Sequence, residues 1–201
     1  MHLRDGRELM GPLYKQDLHM HTVYSKRDSA VVPEQTLDLI EAVGHAEVIG
    51  ISDHFEYVGG RDFDAYAKDV RSRGFKLGTE VGGGEEAGDA VALPFDYYVY
   101  HCRDKKKHYR GLELLLTTGK PVIVAHPLHM GTDMSRLPDE CLIEINNRYI
   151  WRNDWRGLLS PYLDRFKFLL NSDAHQPNWL NLNVSRYVAH ELSIEETLLF
   201  E

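Results

Sequence analysis

Seven short apolar runs punctuate the chain, and most are separated by a segment with helical spacing. The first, Leu13-Tyr-Lys-Gln16, reads as a strand and leads into Asp17-Leu-His-Met-His-Thr22. Helical periodicity follows from Pro33 to about His45, with Leu37, Ile40 and Val43 on one face and Gly44 near the end. Glu47-Val-Ile-Gly-Ile-Ser52 is apolar on both faces, as a buried parallel strand is. A helix from Asp62 to Arg73, closed by Gly74, precedes the strand Phe75-Lys-Leu-Gly-Thr79, which ends at Glu80. The segment from Gly82 to Asp89 is too rich in glycine for a helix and reads as an irregular crossover. Phe95 to Tyr100 is a fourth strand, and a helix runs from about Lys105 to Thr118. Pro121 to Ala125 and Cys141 to Asn146 are strands joined by a connection short for a full helix. Trp155 to Leu163 is helical, and Phe166 to Asn171 is the seventh strand. Ser193-Ile-Glu-Glu196 has the form of a capping box and predicts a last short helix through Phe200.

Strands alternating with helices predict an α/β fold with a parallel sheet, closed as a seven-stranded (β/α) TIM-like barrel. The chain reads as a single domain over residues 1–201, with an N-terminal arm at 1–13 and a C-terminal tail at 184–201. Such a barrel gathers the C-terminal ends of its strands on one rim, where sites are built. Here nearly every strand ends in a histidine or an acid: His19 and His21, Asp53 and His54, Glu80, His101, His126, Glu144, then Asp173 and His175. Any one of them alone reads equally well as a packing histidine or a capping acid. Together they predict convergence on one mouth. Strand alternation also predicts Asp17, His19 and His21 on one face, with Leu18 and Met20 on the other.

Bulk properties narrow the partners. The chain has 201 residues and a formal net charge of -8, which speaks against a long nucleic-acid partner. The Lys105-Lys-Lys107 run reads as a solvated face. Two cysteines, Cys102 and Cys141, form no disulfide framework, and no segment resembles a signal peptide or a membrane span, so a soluble cytoplasmic protein is expected. The oligomeric state is not legible.

Eleven histidines is a rich count for this length, and their placement carries the chemistry. His2, His45, His108 and His190 fall away from the strand ends and read as surface or packing residues. Six rim histidines (His19, His21, His54, His101, His126 and His175) with Glu80 and Asp173 suit two or three divalent transition-metal ions, Zn, Mn or Fe, better than Ca or Mg. A carboxylate such as Glu80 can bridge two ions, and a pair of ions can clamp both oxygens of a displacement at phosphorus. The ions would invert the local field, so an acidic protein could take a small phosphorylated substrate.

Asp17-Leu-His-Met-His-Thr22, Ile51-Ser-Asp-His54, Glu80, His101, Ala125-His-Pro127, Glu144-Ile-Asn-Asn147 and Asn171-Ser-Asp-Ala-His175, in this order, resemble the signature of the PHP (polymerase and histidinol phosphatase) family over about residues 15–180. The resemblance implies a distorted seven-stranded barrel and a phosphoesterase with two or three metal ions. It implies that His19, His21, Glu80 and Asp173 hold one ion, and that Glu80 bridges to a second held by His101 and His126. A third would fall to His54 and His175, while Asp53 and Asn146 orient ligands. The chain departs from the pattern at Ser25-Lys-Arg-Asp28, where a further ligand is expected. Either Asp28 reaches in, or Lys26 or Arg27 binds phosphate instead. The short connections after strands 3 and 5 predict a barrel irregular on those sides.

These readings predict a hydrolase acting on a small phosphomonoester, histidinol-phosphate-like or nucleotide-like, with a metal-bound hydroxide as nucleophile. Asp53 and His129 are the candidate catalytic residues beyond the ligands, and Arg148, Arg27 and Asn146 the candidate substrate-binding ones. The alternatives are 3'-5' exonuclease or nucleic-acid end trimming, and a metal-binding module without turnover.

Overall fold

The computed structural model describes residues 13–200. The expected arm falls outside them, apart from Leu13. Seven strands form one sheet in sequence order: β1 (Tyr14–Asp17), β2 (Ala46–Ile51), β3 (Lys76–Val81), β4 (Tyr97–Tyr100), β5 (Val122–Val124), β6 (Leu142–Asn146) and β7 (Lys167–Asn171). Every neighbouring pair is parallel, from Tyr14 opposite Ala46 to Asn146 opposite Asn171. Glu80 belongs to β3 itself rather than to the loop after it.

The crossovers are uneven. After β1 comes α1 (Leu37–Val43), shorter than its apolar spacing suggests, because Thr36 caps it by accepting from the Leu39 backbone and Gly44 ends it in the left-handed region. A single turn, α2 (Phe55–Val58), and the amphipathic α3 (Phe63–Ser72) follow β2. Only the four-residue α4 (Ala87–Ala90) follows β3, and only the four-residue α6 (Pro127–Met130), with a 3₁₀ turn, follows β5. Between them α5 (Lys106–Leu116) is a full crossover helix. The helix expected over Trp155 to Leu163 is α7 (Trp155–Leu159), which tightens into a 3₁₀ turn at Ser160–Tyr162, where Pro161 stands.

Leu18, Tyr97, Val99, Ile123, Ala125, Leu142 and Leu169 fill the inside of the sheet, and a larger core joins its outer face to the helices. The Tyr97 ring lies across Gly50 and Gly78, where a Cβ would fall on the ring or its hydroxyl. That hydroxyl donates to the Leu18 carbonyl at 2.7 Å. The glycines of β2 and β3 thus make room for one aromatic filler.

The C-terminal segment departs from expectation. Helix α8 (Asn183–Glu191) occupies the start of the predicted tail, and Ser193 to Phe200 is not helical. Ser193 takes a left-handed φ of 55° and turns the chain back. Glu196 then bridges to Phe168, Thr197 donates to the Phe168 carbonyl, and Leu199 donates to the Gln16 side chain. Leu199 and Phe200 pack against the interior cluster, with the Phe200 ring tilted against Tyr97, and shut the end of the barrel opposite the strand C-termini. Tertiary pairing overrides the local capping signal, which is worth only about 1 kcal/mol.

The sheet nearly closes between β7 and β1, and it does so past the ends of both strands. Asp173 donates its backbone N–H to the His19 carbonyl at 2.7 Å, and His21 donates to Ala174 at 2.9 Å. Lower down, side chains replace the ladder: Leu18 N–H reaches Asn171 Oδ1 and Ser172 N–H reaches Asp17 Oδ1. This seam breaks the expected alternation. Leu18 enters the barrel interior while Met20 joins the outer core, and Asp17 turns to His45, with His45 Nε2 3.0 Å from Asp17 Oδ2. Among the described residues, no helix is long and apolar enough to cross a membrane.

Candidate metal centre

The strand C-termini open into a bowl of about 270 Å³, and Glu80 stands at its floor. Both carboxylate oxygens of Glu80 face imidazoles. Oε1 lies 3.2 Å from His19 Nε2, 2.5 Å from His101 Nε2 and 3.5 Å from His126 Nε2. Oε2 lies 3.4 Å from His21 Nε2 and 2.9 Å from His54 Nδ1. Asp173 Oδ1 completes the inner group at 3.7 Å from His19 Nε2 and 3.6 Å from His21 Nε2. The two Nε2 atoms of His19 and His21 are 3.2 Å apart, and those of His101 and His126 are 3.3 Å apart.

These spacings test whether the residues fit a metal. Donors bound at about 2.0–2.2 Å to a shared tetrahedral ion stand roughly 3.3–3.6 Å from one another. Three overlapping triads, His21 with His54 and His175, His19 with Glu80 and His126, and His19 with His21 and Asp173, bring one donor atom each to within 4.8 Å of the others. The clusters can hold metal ions, and His, Glu and Asp are the donor types that divalent transition metals take. Two of the donors also sit on strained backbone: His126 at φ 28° and Asp173 at φ 54°. Non-glycine residues rarely adopt such values, and both residues line the bowl.

The charge pattern agrees. Burial works against a charged His19, but the carboxylates of Glu144, Asp173 and Glu80 outweigh it and hold the ring well above the usual histidine range. Burial and the neighbouring His175 and His54 push His21 well below it. Burial would raise Glu80, yet His101 and His19 keep it well below the ordinary carboxylate range. Burial also opposes His54, but hydrogen bonds to Asp28 and Glu80 lift it to about 10. Four acids share one small volume with protons on imidazoles as their counter-charge, an arrangement a cation relieves.

Beneath the donors, Glu144 orients two of them. Its Oε1 meets His19 Nδ1 at 2.7 Å and accepts from Asn171, and its Oε2 accepts from the His126 backbone at 2.7 Å and from Asn146. His19 and His126, with burial opposing, lower it to about 2. Asn146, expected against substrate, is buried and fully engaged: Nδ2 donates to Glu144 and Asp173, and Oδ1 accepts from the Arg148 and Tyr149 backbones. It orients Asp173 and turns the chain after β6.

The other expected residues divide. Asp53 does not line the bowl. It is fully buried and accepts from Thr22 N–H, Thr22 Oγ1 and Ser25 Oγ, so it braces the loop after β1 from below. Asp28, at the end of that loop, does reach in: Oδ2 is 3.1 Å from His54 Nε2 and 2.9 Å from His175 Nε2. Lys26 and Arg27 are exposed and stand off the bowl wall. Arg148 is on the wall, with Nη1 3.1 Å from His175 Nδ1 and 3.5 Å from Asp173 Oδ1. His129 also lines it, stacked on Tyr149 with ring centroids 4.0 Å apart. Sequence reading passed over Arg103, a wall residue two positions beyond His101, and Tyr149. The proximity of Arg103 to a strand-end histidine was the signal available. His108, set aside as packing, bonds the His101 carbonyl at 2.9 Å and so fixes that strand end.

No family model matches this chain, and no curated protein matches it either.

Proposed function

We propose that the chain is a metal-dependent phosphoesterase of the PHP kind, hydrolysing a small phosphomonoester with two or three divalent ions of Zn, Mn or Fe. The observation that carries this reading is Glu80, whose two oxygens face histidines from separate strand ends and can bridge neighbouring ions. Bound ions supply activation of water at neutral pH and neutralisation of charge at phosphorus.

The chain's own residues do the rest. His19, His21, Glu80 and Asp173 would hold one ion, His101 and His126 would hold a second together with Glu80, and Asp28, His54 and His175 would hold a third. Glu144 and Asn146 fix the orientation of those ligands, a task worth roughly 10–100-fold in metal affinity. Arg103 and Arg148 bring guanidinium groups to the bowl wall, and the phosphate group takes their N–H donors. His129, held flat on Tyr149, offers the ester oxygen a hydrogen bond.

His126→Ala and Asp173→Asn each remove a donor without touching the hydrophobic core. Each is expected to lower hydrolysis of an aryl phosphate by at least about a hundredfold while the circular-dichroism spectrum stays native. Wild-type activity in both variants would sink the reading.

A further inference from the structure

A second cleft, of about 330 Å³ and open to solvent, adjoins the bowl. Arg148 lines both spaces, so they meet at its guanidinium. The outer cleft is built differently from the bowl. Trp151 and Trp179 line it with Arg148 and Arg152, and no carboxylate lines it among the described residues, in a chain whose net charge is -8.

Its floor is rigid. Asn147 Oδ1 accepts from the Val184 and Ser185 backbones and Asn147 Nδ2 donates to Asn181, so these amides are engaged with the protein. The indole of Trp151 donates to the Arg148 carbonyl at 2.9 Å, which fixes its edge, yet the residue is 61% exposed. The guanidinium carbon of Arg148 stands 5.0 Å from the Trp179 ring, and that of Arg152 stands 5.1 Å from the Trp151 ring. What the cleft presents to a ligand is therefore the exposed Trp151 indole and two guanidinium groups, with Trp179 standing against that of Arg148. Indoles stack on planar rings, and guanidinium groups take anions.

The geometry points to the Trp151–Trp179 cleft as the subsite for the leaving group of the phosphoester, selecting a planar aromatic group that carries a second anionic substituent. Trp151 stacks on the ring, Arg152 holds the distal anion, and Arg148, set against Trp179, stands where ring and phosphate join. The inference rests on the phosphoesterase reading for the phosphoryl end of the ligand.

Non-hydrolysable probes separate the two. Metal-loaded full-length protein is titrated with methylphosphonate, phenylphosphonate and 4-carboxyphenylphosphonate, followed by calorimetry and tryptophan fluorescence. Phenylphosphonate should bind about tenfold more tightly than methylphosphonate, the worth of one stacked ring. The carboxylate should add roughly threefold, the scale of one exposed ion pair. Trp151→Ala should bring the phenyl-to-methyl ratio close to unity, and Arg152→Gln should cancel only the carboxylate gain. A wild-type ratio near unity, or one that Trp151→Ala leaves intact, overturns the assignment of the cleft while methylphosphonate binding upholds the bowl. Failure of every phosphonate and of inorganic phosphate to bind overturns both.

Discussion

Asp28 enters the bowl from the loop after β1, and its Oδ2 meets the Nε2 atoms of both His54 and His175. Its other oxygen accepts from the Ala30 backbone at 2.8 Å, which pins the carboxylate against rotation. Burial alone would raise its pKa, but hydrogen bonds from His175 and His54 hold it well below the usual carboxylate range. An acid held this firmly between two imidazoles makes His54 and His175 one unit. Asp28→Ala should therefore lower the ion count per chain, measured by elemental analysis after dialysis, while His19, His21 and Glu80 keep theirs. An unchanged count would detach His54 and His175 from a separate position. The histidines themselves were legible because they recur at the ends of successive short runs that read as strands, which a parallel barrel gathers on one rim. Asp28 was legible only as an alternative to Lys26 and Arg27, since three polar neighbours in one loop leave its direction open. Asp17 misled, because strict alternation holds only while the strand lasts, and β1 ends at Asp17.

At the level of elements, the strands and their parallel order follow from short runs alternating with helical spacing, whereas their closure depends on what fills the barrel. Tyr97 does that for β2 and β3, and its ring occupies the space a side chain at Gly50 or Gly78 would need. Gly78→Ala should force the ring aside and cost about 1–3 kcal/mol, seen as a lower thermal midpoint of the metal-free protein. Adding Tyr97→Leu should recover part of that loss, as contacting residues couple in a double-mutant cycle. Strictly additive effects would show that the ring does not fill that space. Neither glycine announces this role in the sequence, where Gly50 and Gly78 look like ordinary breaks in apolar runs. The tail was misread for a related reason. The Ser193-to-Glu196 capping pattern is local, while the bridge from Glu196 to Phe168 and the bonds to Gln16 join segments far apart in the chain.

On the scale of the whole molecule, the barrel has one polar end and one sealed end, and Glu196 is the weak point of the seal. Its Oε1 is buried with no hydrogen-bond partner among the described residues. Burial and the nearby charge of Asp17 raise its carboxyl to about 7, with Arg186 opposing. The ordinary value is 4.5, so between about pH 4.5 and pH 7 the folded chain holds a proton that the unfolded chain has released. Stability must then fall as pH rises through that window. Because the group is only half-buried and water screens it, the cost at pH 8 is about 1 kcal/mol. Glu196→Gln keeps the shape and removes the charge. Thermal scans of the metal-free variant should show a midpoint about 2–4 °C above wild type at pH 8 and no difference near pH 4.5. Since the donors of the bowl are identical in both proteins, their own titration cancels in the comparison. A variant less stable than wild type by the same margin at both pH values would mean that Glu196 anchors the tail through its carboxylate. The gain at pH 8 alone is what a buried acid without a partner predicts.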